Sequence, residues 1–152
     1  MYHVAEQEQI NIRWWDFVPP VLGLYWAPHG RRPVIGLDNS LKDQHRLLRC
    51  VMAEELGHHF TTFNNCTKNA CFNYRNRVDV SQLEFKALSW ASQYLIPFDQ
   101  LCKAVRCGIT EPHKLANHFD VTEEMIYFRL FLPDCMWYWA INSPITIEDN
   151  WA

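Results

Sequence analysis

The chain has 152 residues, 49% hydrophobic and 20% charged, which excludes a disordered protein and suffices for a single domain, 1–152, with a real core. Its net charge of −3, with no basic block, argues against nucleic acid as the main partner. No apolar run reaches the length of a membrane helix and Met1 to Ile12 lacks the regions of a signal peptide, so a cytoplasmic location is expected.

Ala5 to Gln9 reads as the end of a short helix, followed by strand in Ile10-Asn11-Ile12 and Trp14-Trp15-Asp16-Phe17 that stops at Pro19-Pro20. Val21 to Trp26 reads as a second strand, His29 to Arg32 as a turn, and Pro33 to Leu37 as a third strand. Together they predict a small sheet over about 10–37. Asp38, Asn39 and Ser40 are N-cap candidates for the helix that follows.

That helix, about 41–59, carries the likeliest chemistry in Ala53-Glu54-Glu55-Leu56-Gly57-His58-His59. With Leu47 at zero and about 100° per residue, Leu47, Leu48, Val51 and Met52 fill an arc to about 140°, and Arg46, Arg49 and Ala53 fall opposite. Glu54, Glu55 and His58 fall at about 340°, 80° and 20°, on or beside the stripe that faces the core. Charges there cost several kcal/mol unless compensated, and a divalent cation has the right sign. Glu54 and His58, four apart, share one face, as do the two ligands of the H-E-x-x-H zinc signature, with Glu54 in the place of the first histidine. Glu55 then falls at the general base. The register Glu55 with His59 also has spacing four but puts Leu56 at the base position. The non-metal alternative is a helix end whose carboxylates are solvated and whose histidines bond carbonyls.

From Thr61 to Val78 the sequence is polar and rich in asparagine, an excursion long enough to form a wall of a cleft. Without an export signal, the six cysteines, Cys50, Cys66, Cys71, Cys102, Cys107 and Cys135, are expected as reduced structural thiols, and Asn65-Cys66-Thr67 as a chance glycosylation pattern. Leu83 to Ile96 reads as a helix, about 82–95, stopped by Pro97. Glu84 lies inside its apolar arc with Ala87, Leu88, Ala91 and Leu95. It is either the glutamate of a capping box begun by Ser81 or, if Asp79 and Gln82 make the cap, a third carboxylate for the same cation.

Ala53-Glu54-Glu55-Leu56-Gly57-His58, with Glu84-x-x-Ala87-x-x-Trp90-Ala91-x-x-x-Leu95-Ile96-Pro97, resembles the ImmA/IrrE family of metallopeptidases over roughly Ile10 to Leu130. In that family a helix with H-E-L-G-H precedes one with E-x-x-A-x-x-F-A-x-x-x-L-x-P. The resemblance implies His58 and Glu84 as metal ligands, Glu55 as general base, and Glu54 in a ligand position with a changed residue. It also implies a role common in prophages and mobile elements, action on a repressor or antirepressor.

Phe98 to Cys107, Pro112 to Phe119 and Thr122 to Phe131 read as three more helices, about 98–131, the last two resembling a helix-turn-helix. The second opens with Thr122-Glu123-Glu124, where carboxylates would meet phosphates, so a packing role is favoured over DNA contact. The tail, 132–152, with Trp137, Tyr138, Trp139 and Trp151, is too aromatic for a free linker and is expected to fold back or bind a partner.

The fold expected is α+β: a small N-terminal antiparallel or mixed sheet on a metallopeptidase-like helical core, with C-terminal helices. The function expected is a zinc-type metallo-endopeptidase, with Mn2+ or Fe2+ as competing ions because two carboxylates and one imidazole make a harder site. Its expected metal ligands are Glu54, His58 and Glu84, its base Glu55, and its substrate a repressor-like protein. His59, Tyr74 and Arg75 are open candidates for a second electrophile. The competing expectation is a peptidase-like protein that no longer cuts and regulates a partner by binding.

Overall fold

The computed structural model of the chain describes residues 1–61, 70–71 and 82–136. The expectations for the excursion beyond Thr61, for Cys66, Tyr74, Arg75, Asp79 and Ser81, for the side chain of Cys71, and for the tail from Trp137 lie outside the described residues.

Helix α1 (Tyr2–Gln7) leads into β1 (Asn11–Trp15), β2 (Val21–Trp26) and β3 (Val34–Asp38). A short 3-10 turn (Asn39–Asp43) precedes α2 (His45–Thr61), and β4 (Ala70–Cys71), α3 (Gln82–Leu95), α4 (Phe98–Arg106), α5 (Pro112–Phe119) and α6 (Glu123–Phe131) follow. The sheet order is β1-β3-β2-β4. It is mixed, because β1 runs parallel to β3, with Ile12 opposite Ile35 and Trp14 opposite Leu37, while β2 is antiparallel to both β3 and β4. The period-two alternation of a strand sends Tyr25, Ile35 and Leu37 inward, where they meet Val51, Met52 and Leu56 of α2. The fold is the α+β arrangement expected, with the C-terminal helices in place.

Two local expectations give way. Asp38 caps the 3-10 turn rather than a helix beginning at Leu41: its carboxylate accepts from Ser40 N at 2.9 Å and Phe17 N at 2.7 Å. Hydrogen bonds from Ser40 and then from the Phe17 amide hold that carboxyl below its usual range. The chain then bends, and α2 begins at His45. Nor is α2 one-sided, since every residue from Cys50 to His58 is buried. Ala53, on the arc opposite the sheet, packs with Cys50, Ala91, Leu95 and Met125 in a second core built by α3 to α6. A helix covered on all sides is a central helix, and α2 divides the two cores.

Helices α5 and α6 dock on the start of α2. Asp120, at φ 53°, ends α5 in the left-handed conformation, and Thr122 caps α6 by accepting from Met125 N at 3.3 Å. The Asp120 carboxylate lies 3.3–3.5 Å from Arg49, Arg46 and His45, which places a negative charge beside a helix start that has no acidic residue in its first turn. Met125, Ile126 and Arg129 of α6 are buried. The Arg129 guanidinium donates to Ile96 O at 2.9 Å, to both Asp134 carboxylate oxygens at 2.8–2.9 Å, and to Cys135 Sγ at 2.7 Å. Cys50, Cys102 and Cys135 are buried thiols and Cys107 is exposed. No described helix is long and apolar enough to cross a membrane.

Candidate metal centre

The last turns of α2 and the first turn of α3 face one another. Glu54 and His58, four apart on α2, project on one side, and Glu84, in the first turn of α3, reaches across from the other. Small residues stand where the helices cross, Gly57 beside His58 and Ala87 one turn after Glu84. Glu84 Oε2 lies 3.3 Å from His58 Nε2. One ligand atom each from Glu54, His58 and Glu84 can be chosen so that all lie within 4.8 Å of one another. Ligands at about 2.1 Å around a tetrahedral ion are roughly 3.4 Å apart, close to the separation of His58 Nε2 and Glu84 Oε2.

The donor chemistry fits a divalent ion. Glu54 and His58 are 0% and 1% exposed, which places ionisable groups in a dry interior where their charges interact strongly. Glu84 keeps 15% of its side chain exposed, so the trio has one partly open flank. Two carboxylates carry two negative charges, an amount a divalent cation neutralises outright.

Glu55, also fully buried, lies about 60° round α2 from His58. Its carboxylate turns toward β2 and is not part of the trio. His59 turns elsewhere again: Nδ1 lies 2.9 Å from the Tyr25 hydroxyl and Nε2 is 3.3 Å from Glu8 Oε2. Both ring nitrogens of His59 are therefore engaged, one with Glu8 just after α1 and the other with Tyr25 of β2. Burial raises the pKa of the Tyr25 hydroxyl and keeps it a hydroxyl at neutral pH. Sequence reasoning passed over Glu8, Tyr25 and Gly23. The available signal was that Gly23 and Tyr25, two apart on one strand, share the face that α2 covers.

The trio is a group that could hold a metal ion. The sequence model of a peptidase family, described as the IrrE N-terminal-like domain, matches residues 6–131. The chain belongs to that family, the ImmA/IrrE peptidases. No curated protein matches it by sequence similarity.

Proposed function

We propose that the protein is a metal-dependent endopeptidase that hydrolyses a peptide bond in a partner protein, a repressor or antirepressor of a phage or mobile element. The observation that carries this reading is the meeting of Glu54, His58 and Glu84 within 4.8 Å in a chain of a peptidase family. In this reading those three residues hold the ion, and zinc is the first choice, with manganese or iron favoured more than in a two-histidine site. The chemistry such an ion supplies is Lewis acidity, which makes water acidic enough to attack and polarises a carbonyl. Glu55, next in sequence to a ligand but not one itself, takes the proton from the attacking water and returns it to the leaving amine. His58 must present a neutral nitrogen to the ion, and Glu84 is the ligand on the partly open flank.

The reading is tested by incubating the zinc-loaded wild type and Glu55→Gln with the protein encoded beside this one in its genome. Wild type should cut it at a defined bond, and Glu55→Gln should retain zinc while cleavage falls by about 10²-fold or more. A second reading, a peptidase-like protein that binds its partner without cutting, is favoured by one feature, the carboxylate of Glu54 where the motif has an imidazole. Tight binding of the partner with no cleavage by wild type in zinc, manganese or iron selects it.

A further inference from the structure

The carboxylate of Glu55 lies where any other residue at position 23 of β2 would place its Cβ. Gly23 is on the inner face of the sheet, with Tyr25, and is buried. A Cβ at Gly23 would stand 2.6 Å from Glu55 Oε1 and 2.7 Å from Val51 Cγ1, far inside the roughly 3.5–4.0 Å at which non-bonded heavy atoms attract. The β2–β4 pairing is irregular at the same point: Val21 is opposite Cys71 and Gly23 is opposite Ala70, so two steps on β2 meet one on β4. Irregularities of this kind bend a strand locally and re-aim what packs on it.

We propose that Gly23 is a positioning residue for Glu55: its missing side chain leaves the seat in which the carboxylate lies against β2, beside the ligand trio without belonging to it. The functional weight of this seat rests on the reading of Glu55 as the general base. The helix cannot simply withdraw from an added methyl group, because its opposite side is pressed on α3 at Gly57 and Ala87. The flexible end of Glu55 has to swing instead, and Val51 Cγ1, less free to move, has to give by a smaller shift. A methyl group at position 23 therefore moves the base while the ligand trio, none of which is among the atoms nearest that methyl group, stays in place.

Zinc ion alone is the probe, on the full chain. Zinc affinity by chelator competition and melting temperature are measured for wild type, Gly23→Ala, Glu55→Ala and the double variant. Gly23→Ala should bind zinc within about twofold of wild type. Its melting temperature should fall, and the fall should be smaller by ~3 °C or more in the Glu55→Ala background, where the displaced group is gone. Glu55→Asp, which shortens the side chain by one methylene and keeps the charge, should give a rescue in the same direction. Additive shifts overturn the proposal, because a glycine needed only by the strand has no reason to sense position 55. Rescue by Val51→Ala with none by Glu55→Ala also overturns it. If Gly23→Ala does not fold, the double variant decides: recovery of the fold supports the seat, and failure overturns it. Failure of the functional reading looks different, since a tenfold loss of zinc in Glu55→Ala alone would make Glu55 a ligand rather than a base.

Discussion

Gly57 of α2 lies so close to Ala87 of α3 that a Cβ at position 57 would overlap the Ala87 carbonyl oxygen. Backbone does not yield as a flexible side chain does, so the two helices share a crossing distance that only the absence of a side chain permits. That distance brings the first turn of α3, and with it Glu84, to His58. Gly57→Ala would gain about 1 kcal/mol of helix propensity if nothing opposed it. Overpacking of this kind costs about 1–3 kcal/mol, so the expected net result is a less stable protein, read by chemical denaturation. Zinc affinity should fall about 10-fold or more as Glu84 moves off. A stabilised Gly57→Ala with unchanged zinc binding would refute this account of the crossing.

Glu84→Gln tests whether that carboxylate is a ligand or a helix cap. The amide keeps most of the capping capacity but donates far less charge to a metal, so zinc affinity should drop about 10- to 100-fold at nearly unchanged stability in the metal-free protein. The opposite pattern, a loss of ~1 kcal/mol with zinc affinity intact, is that of a cap.

Much of this architecture was legible in residues. Pro97 after an apolar helical stripe, and Pro112 at the start of another, mark α3 and α5 to within a residue, because proline acts through the backbone alone. The spacing of Glu54 and His58 was legible, but the apolar arc around Glu84 left a helix cap and a third carboxylate both open, and it was the resemblance of the two helical motifs to a known family that favoured the carboxylate. The start of α2 was not legible, since Asp38 can cap a 3-10 turn as readily as an α-helix. The all-round burial of α2 was missed for a different reason. Periodicity measures the contrast between two faces, and a helix between two cores has little contrast to measure. Gly23 and Tyr25 acquire their roles only when β2 is laid against α2, a long-range pairing that no local pattern encodes.

Glu54→His and Glu54→Ala examine the departure from the two-histidine motif. As a ligand, Glu54 should be needed for tight binding, so Glu54→Ala should lose about 10-fold or more in zinc affinity. Glu54→His should bind zinc more tightly relative to manganese, because an imidazole is the softer donor. Zinc and manganese titrations of the three proteins measure both effects, and equal zinc affinity in wild type and Glu54→Ala would remove Glu54 from the site.

The Arg129–Asp134 pair predicts a pH dependence. Hydrogen bonds from Arg129 lower the Asp134 pKa below its ordinary value, so its contribution is fully present above an unfolded pKa of about 3.9 and is lost as pH falls through the lower folded value. Asp134→Asn should therefore destabilise the protein at pH 7, and the difference from wild type should shrink as the pH drops below about 4. Because the Asp134 side chain is 43% exposed, screening places the loss at the low end of the ~1–3 kcal/mol usual for hydrogen bonds to a charged group. Denaturant unfolding at pH 7 and at about pH 3 measures it, and a constant difference across that interval would count against the pair.

The same arginine bears on where the folding unit stops. The family match ends at residue 131, yet the carboxylate that neutralises the buried Arg129 guanidinium comes from Asp134 and the thiol beside it from Cys135. A chain cut at 131 would keep every proposed ligand and the proposed base, but would strand a cation in the interior next to the end of α3. Its boundary is therefore electrostatic rather than helical. Asp134, three residues after the last helix and part of no motif, is the counterion that lets α6 close over the second core.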